Sequence, residues 1–396
     1  MSYFTPLSIF IVGFFYFSIL PVVYLSDYSG ISLLLLLFGA SSFLFGYSLK
    51  TARVNRSPYK IKVSPEFAVK PFLLIYSLFV IYQLTSQYEY SGSYAELFQN
   101  KSQSSLYLQI VDNIFDLLLL FLMSIFASKS KNVYIAFFIL SSLFYLQENT
   151  RLLLVFNVMF WSIYGVSFGY IRINFFQVLL ALLFAPVIFV LLIIKRGAAS
   201  SGESFLSFII GFYQKVDIDL LMDGMYYGLE VFESYKTYVK VIHDEFIHPE
   251  SGVLRLLVML VPRTVWPDKP ESISRIIAEN YYPGAYGSGG GQLASTFGDA
   301  YINAGIIGVF LFWFLLGWYS KYKYKSTIMN AKNQECRYYR SYLVFSYFIF
   351  FKYFILCIRG FGSDYLWQFI LSLIMAFILR CFLFKLNCNP CNPCNS

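Results

Sequence analysis

The sequence predicts an all-α polytopic integral membrane protein of about ten transmembrane helices with one large extracytoplasmic loop. Composition is the first reason: of 396 residues, 58% are apolar and 13% charged, with 44 Phe and 34 Tyr. A soluble domain carries about 25% charged residues, so a water-soluble body of this size would lack the charge to cover its surface. The second reason is that the apolar residues gather in blocks roughly 16–23 residues long, enough for helices to cross or nearly cross a hydrocarbon core about 30 Å thick. The third is that most Lys and Arg residues lie in short segments between those blocks, where they set topology and meet anionic lipid. The net charge of +8 is therefore not gathered on one soluble face, and nucleic acid is excluded as a partner.

The blocks run 6–25, 30–49, 71–86, 106–128, 132–147, 152–170, 174–194, 299–319, 341–358 and 364–384. Lipid offers backbone N–H and C=O groups no partners, so each block is expected to be a helix. The first block is expected to remain as a span, because no basic residue precedes Lys50 and no small-residue cleavage site follows the block. With the N-terminus inside, the inner segments hold 17 Lys and Arg residues and the short outer loops hold 3, namely Lys101, Arg151 and Arg359. That bias predicts both termini in the cytoplasm. The chain then divides into 1–194 with seven spans, an outer loop at 195–298, three spans over 299–386, and a Cys/Asn/Pro tail at 387–396. The tail thiols Cys388, Cys391 and Cys394 do not close a tetrahedral site without a further ligand, and no metal is predicted.

The outer loop carries both histidines, His243 and His248. From Asp217 to Glu245 an apolar stripe of Leu221, Met225, Leu229, Phe232, Tyr235 and Val239 predicts a helix. Leu254–Val261 is apolar but too short to span, which predicts a half-buried or re-entrant helix ended by Pro262. Gly287, Gly289, Gly290 and Gly291 predict a flexible lead into the eighth span. A loop of this length is usually functional rather than a bare connector.

Walker, GxSxG and HExxH signatures are absent from the sequence, which argues against an ATP-driven pump or a soluble hydrolase. What remains is a set of outer-face cations and carboxylates. In Pro262-Arg263-Thr264-Val265-Trp266-Pro267-Asp268-Lys269-Pro270 the prolines hold the backbone outside helical geometry. Arg263 and Lys269 are expected to project as fixed cations suited to phosphate oxygens. The competing reading is an interfacial turn whose cations meet lipid headgroups. Arg151, Arg196, Arg255 and Arg359 sit at outer ends of spans, where a positive-inside protein should be poor in Arg. A lipid pyrophosphate would account for them, and so would snorkelling or ion pairs.

Asp299 opens the eighth span and serves either the helix dipole or general-base chemistry. His248 and Asp268 are the second choices for a base, His248 being equally readable as a solvated loop residue. Asp299, Tyr301 and Asn303 alternate, so they share one helical face only if the start of the helix is unwound. Within the membrane, Asp112 and Asp116 lie one turn apart on the fourth span and Lys352 lies on the ninth. A charge there costs at least about 2.5–3.5 kcal/mol unpaired, which predicts pairing of Lys352 with Asp112 or a role on a substrate path.

Taken together, the proline-rich motif from Pro262 to Pro270 and the entry Gly298-Asp299-Ala300-Tyr301-Ile302-Asn303-Ala304-Gly305 resemble the Wzy-type polymerases of O-antigen and capsular polysaccharide repeat units. Arg151 and Arg359 resemble that family's scattered arginines, and the likeness in organisation covers almost the whole chain. The spaced arginine-to-glycine pattern of some members is absent after Arg196 and Arg263. The resemblance implies a glycosyltransferase of the bacterial inner membrane that joins undecaprenyl-pyrophosphate-linked glycan donor and acceptor on the outer face. It implies no cofactor and no metal, and leaves room for a chain-length regulator protein as a partner. It further implies that Arg151, Arg196, Arg263, Lys269 and Arg359 bind pyrophosphate, with Asp299 as the base before His248 or Asp268. Tyr281, Tyr282 and Tyr286 are candidates to stack on sugar rings. A ligase shares this architecture. A flippase for lipid-linked oligosaccharide should instead show repeated halves and helices broken at midplane, neither of which the sequence displays.

Overall fold

In a computed structural model the chain is described over residues 5–25, 30–51, 59–61, 77, 106–147, 151–172, 174, 231–259, 261, 265–287, 290–332 and 334–386. The expected spans 71–86 and 174–194, the first part of the predicted loop helix and the C-terminal tail lie almost wholly outside these residues.

The described chain is helical. Its elements are α1 (Pro6–Leu25), α2 (Gly30–Ser48), α3 (Leu106–Ala127), α4 (Lys131–Gln147) and α5 (Arg151–Phe168). Then come α6 (Val231–His243), α7 (Arg255–Val258), α8 (Ile273–Tyr281), α9 (Pro283–Gly287), α10 (Ser295–Lys332), α11 (Arg337–Arg359) and α12 (Leu366–Leu383). Among the described residues five helices are long and apolar enough to cross a membrane: α1, α2, α10, α11 and α12. The chain is thus a helical membrane protein, with shorter apolar helices at Asn113–Ala127, Lys131–Leu143 and Leu153–Phe168.

α11 is the axis of the body, buried along nearly its whole length by Val344, Phe345, Phe348, Phe351 and Phe354. An aromatic knot ties α1, α2, α10 and α11 together. Phe10 stacks on Phe43 at 3.9 Å, and the Phe43 ring lies 5.7 Å from Phe354. α2 and α10 approach so closely that Gly46 rests on the Phe314 carbonyl and Gly317 on the Phe43 carbonyl. Small residues permit such backbone contact where lipid supplies no hydrophobic drive between helices. On the other side, Tyr164 of α5 donates to the Ser124 carbonyl at 2.6 Å, and Trp161 donates to Ser141 Oγ at 2.8 Å.

One end of the body collects basic residues. Lys321 donates to the carbonyls of Ser48 and Leu49, and Arg337 to that of Lys129. A two-stranded antiparallel ladder, β1 (Tyr59–Ile61) with β2 (Phe384–Leu386), brings the segment after α2 beside the one after α12.

The eighth apolar block is not a straight helix. Ala304 (φ −161°, ψ 34°) and Gly305 (φ 59°, ψ −147°) break α10 near its N-terminal end. The Gly305 conformation is one that only glycine adopts without strain. The two halves fold back on each other: the rings of Phe297 and Trp313 are 5.0 Å apart, and Gly308 rests on the Ala300 carbonyl. A straight helix would separate Phe297 from Trp313 by about 24 Å. Ser295–Asn303 is therefore a re-entrant half-helix, nearly all of it buried, and the membrane-crossing run follows Gly305.

Candidate functional site

At the end of the body opposite the basic residues, three segments meet on Asn303. Its Oδ1 accepts the Val253 N–H at 2.7 Å, while its Nδ2 donates to the Asp299 carbonyl and to Ser363 Oγ, both at 2.7 Å. The His248 N–H adds a bond to the Ile302 carbonyl at 2.7 Å. Gly252 lies directly against the Asn303 amide, in space a Cβ would fill. Asp299 and Asn303, four residues apart, share one face without any unwinding of the helix start; the break comes after them.

Asp299 is 5% exposed, and both carboxylate oxygens face donors. Oδ2 accepts the Ser363 N–H at 2.7 Å, and Oδ1 lies 3.4 Å from Asn303 Nδ2. Gly362 leaves room for this contact, since a Cβ there would stand 3.0 Å from Asp299 Oδ2. Gly360, at φ 98°, ends α11 and turns the chain onto Ser295. In this geometry Asp299 braces the turn between α11 and α12.

The next residue of that turn, Asp364, is placed differently. Its Oδ2 accepts from Ser274 Oγ at 2.6 Å, whereas Oδ1 accepts no hydrogen bond among the described residues and stands 4.0 Å from Arg255 NH1. The side chains of Arg255 and Asp364 are 20% and 13% exposed. Burial pushes the Asp364 carboxyl above the usual carboxylate range, against the opposing pull of the Ser274 hydroxyl and the Arg255 charge. Ser274 is held in place by the start of α8. There Gln292 N–H bonds the Ser274 carbonyl at 2.8 Å, and Arg275 donates to the Tyr286 and Gly290 carbonyls at 3.1 Å each. The expected flexible glycine lead is instead pinned at Gly290 and Gln292.

The other predicted residues are distributed as follows. Lys269 does not project: it is 8% exposed, and its Nζ donates to the carbonyls of Met259 and, at 3.1 Å, Val261. Its neighbour Asp268 is exposed. His248 Nδ1 lies 3.1 Å from Glu250 Oε1 on a half-exposed rim, its ring 4.3 Å from that of Phe246. Hydrogen bonding from its own backbone first, and then from His248, holds the Glu250 carboxyl below its ordinary range. Arg359 ends α11 half-buried, its guanidinium 5.3 Å from the centre of the Phe361 ring. Tyr281 donates to Asp244 at 2.9 Å, Tyr282 shares a hydrogen bond with Thr237, and Tyr286 lies under Arg275 at 4.2 Å. Arg151 opens α5 and Asp112 lies on α3, but the side chains of both fall outside the described residues, as do Arg196 and Arg263 altogether.

Inside the membrane body Lys352 donates to Asn113 Oδ1 at 3.2 Å, and Asn113 donates to Gln368 Oε1 at 3.0 Å. Asp116 supplies the opposing charge. Lys352, Asn113 and Gln368 border a small cavity between α3, α11 and α12 that reaches Tyr365, next to Asp364. Among the described residues no cluster of His, Cys, Asp and Glu could hold a metal ion.

The structure thus brings together Asp299 and the turn after Arg359, and joins Arg255, already singled out, to Ser274 and Asp364. Asp364 was not singled out from the sequence; its signal is the Gly360-Phe361-Gly362-Ser363 turn immediately before it. Comparison of the chain with family models, curated proteins and solved structures finds no match.

Proposed function

We propose that the chain is a membrane glycosyltransferase that polymerises undecaprenyl-pyrophosphate-linked oligosaccharide repeat units into O-antigen or capsular polysaccharide. In this reading it works on the outer face of the bacterial plasma membrane, with about ten spans, both termini inside and residues 195–298 outside. The observation that carries it is the Arg255–Asp364 pair: a cation and a carboxylate oxygen that accepts no hydrogen bond among the described residues, side by side at the end of a membrane body away from its basic end. The resemblance of the Pro262–Pro270 and Gly298–Gly305 motifs to Wzy-type polymerases supports the same reading.

The chemistry asks for a base and for cations. The acceptor hydroxyl gives its proton to a carboxylate and attacks the anomeric carbon of the donor glycan. The bond from that carbon to the pyrophosphate breaks, and the lipid pyrophosphate leaves with its charge stabilised by guanidinium groups. Asp364 is the preferred base over Asp299, because Asp299 has both oxygens engaged in holding the fold. Arg255 covers Asp364 in the resting state, and a pyrophosphate that draws the guanidinium away both gains a cation and frees the base. Arg359 and, through the loop, Arg263 complete the anion site; Arg151 and Arg196 are further members. Lys269 acts indirectly, by shaping the loop.

The broken helix α10 favours a second reading. Discontinuous helices with polar groups at the break also build transporter sites, so a flippase for lipid-linked oligosaccharide stays in view. Purified protein reconstituted with lipid-linked repeat units separates the two. Polymer formed without any other protein supports the polymerase; transbilayer movement of the units without chain growth supports the flippase. Transfer of finished glycan to another acceptor would instead identify a ligase.

A further inference from the structure

The described residues between Val253 and Trp266 are built the wrong way round for water. Their one cation, Arg255, and the Lys269 that follows turn inward, whereas five of their apolar side chains turn out and Met259 packs inside. Leu257 is 82% exposed and Val265 73%, with Val253, Leu254 and Trp266 exposed beside them. On a soluble surface that pattern would be reversed.

The backbone tells the same story. α7 is four residues long and leaves carbonyls at its C-terminal end that a solvated turn would give to water. Here the Val258 carbonyl takes the Val261 N–H at 3.1 Å, and Lys269 reaches in to satisfy Met259 and Val261. An ammonium buried to close a turn from inside is what a lipid environment demands, because lipid offers carbonyls no donors.

The patch also continues a surface that belongs to lipid. Ile247 packs on Gly305 at the helix break, and Ile306, Ile307, Leu311 and Leu315 run on from there along the exposed face of the membrane-crossing helix. Trp266 at its rim is the residue type of the membrane–water interface.

We infer that the described face formed by Val253, Leu254, Leu257, Val265 and Trp266 inserts into one leaflet of the bilayer, with Leu254, Leu257 and Val265 among phospholipid acyl chains, which seats Arg255 at the depth of the phosphates. The occupant of the patch is phospholipid, not a second protein chain. The inference stands apart from the glycosyltransferase reading, since it needs only that the chain is a membrane protein.

The test uses the unaltered full chain in liposomes of phosphatidylethanolamine and phosphatidylglycerol carrying a photoactivatable diazirine on the acyl chain. After irradiation, labelled peptides are mapped by mass spectrometry. Peptides covering 253–266 are expected to label within about threefold of the Ile306–Leu315 peptide, and at least tenfold above the α8 peptide Ile273–Tyr281. Labelling of 253–266 at the α8 level, with Ile306–Leu315 labelled normally, overturns the insertion. So does a stable protein–protein crosslink through the same residues in place of lipid adducts.

Discussion

The Ser363 N–H donates to Asp299 Oδ2 at 2.7 Å, tying the re-entrant half of α10 to the turn that carries Asp364. A carboxylate so used holds another residue in place. Asp299→Asn keeps an acceptor for Ser363 and is expected to preserve both thermal stability and most of the chain extension. Asp299→Ala strands the buried N–H and should cost about 1–3 kcal/mol. Thermal unfolding in detergent, with chain length scored on gels, checks both. Loss of all activity in a well-folded Asp299→Asn protein would return the base to Asp299.

Asn303 gives a second, independent handle on the same junction. A Cβ at Gly252 would collide with the Asn303 amide, so Gly252→Ala must push the 248–253 segment off the half-helix. A destabilisation of about 1–3 kcal/mol is expected. Asn303→Ala loses four hydrogen bonds, one of them long, but makes room. The two substitutions together should therefore cost less than the sum of their separate effects, by about 0.5–3 kcal/mol in a double-mutant cycle. Strict additivity would mean that the two residues do not touch.

The sequence carried the outline of this architecture well and its interior poorly. Apolar blocks longer than a dozen residues are read directly from composition, and α1, α2, α11 and α12 lie within a few residues of their expected bounds. The fold-back at Gly305 is set by the backbone of two residues inside an apolar run, which hydropathy averages away. Lys269 was read as a projecting cation because charge usually seeks water, yet here the nearest unsatisfied partners were carbonyls. Lys352 was paired by depth with Asp112, whose side chain lies outside the described residues; what the structure adds is a hydrogen bond from Lys352 to Asn113, a neighbour that carries no charge to announce it. Arg255, Ser274 and Asp364 are joined only by tertiary folding, and no spacing in the chain announces such a trio.

The conformation of Gly305 makes a prediction about the fold-back itself. With φ at 59° and ψ at −147°, any side chain there is strained by about 1–3 kcal/mol. Gly305→Ala should lower the unfolding temperature clearly. Ile306→Ala, which shortens an exposed side chain, should leave it nearly unchanged. Equal behaviour of the two would place the break elsewhere.

Asp364 predicts a pH dependence with a definite sign. Its carboxyl is raised in the folded protein, so the folded state holds the proton more firmly than the unfolded chain does. The stability this contributes is complete below the ordinary carboxylate range and is lost as pH rises through the raised value. Asp364→Asn mimics the protonated form and should be at least as stable as the native chain at neutral pH. The difference in unfolding temperature should shrink as the buffer is acidified towards pH ~4. A native chain that gains stability on going from acid to neutral pH, with Asp364→Asn left behind, would reverse the assignment.

The pairing of Arg255 with Asp364 finally separates catalysis from structure. If Asp364 takes the acceptor proton, Asp364→Asn should abolish chain extension by reconstituted protein while donor binding persists, since the arginines remain. Arg255→Ala removes a cation from the leaving group and should lower extension by about 10²–10³-fold, the range for losing one preorganised charge-stabilising donor. Arg255→Lys keeps the charge but not the planar fork, and should recover only part of that loss. Arg359→Ala should likewise stop extension with the protein still in the membrane. Normal ladders of chain length from both Arg255→Ala and Arg359→Ala would sink the pyrophosphate site. Normal ladders from Asp364→Asn alone would leave that site intact and send the search for the base to His248, whose ring sits beside Glu250 on the rim.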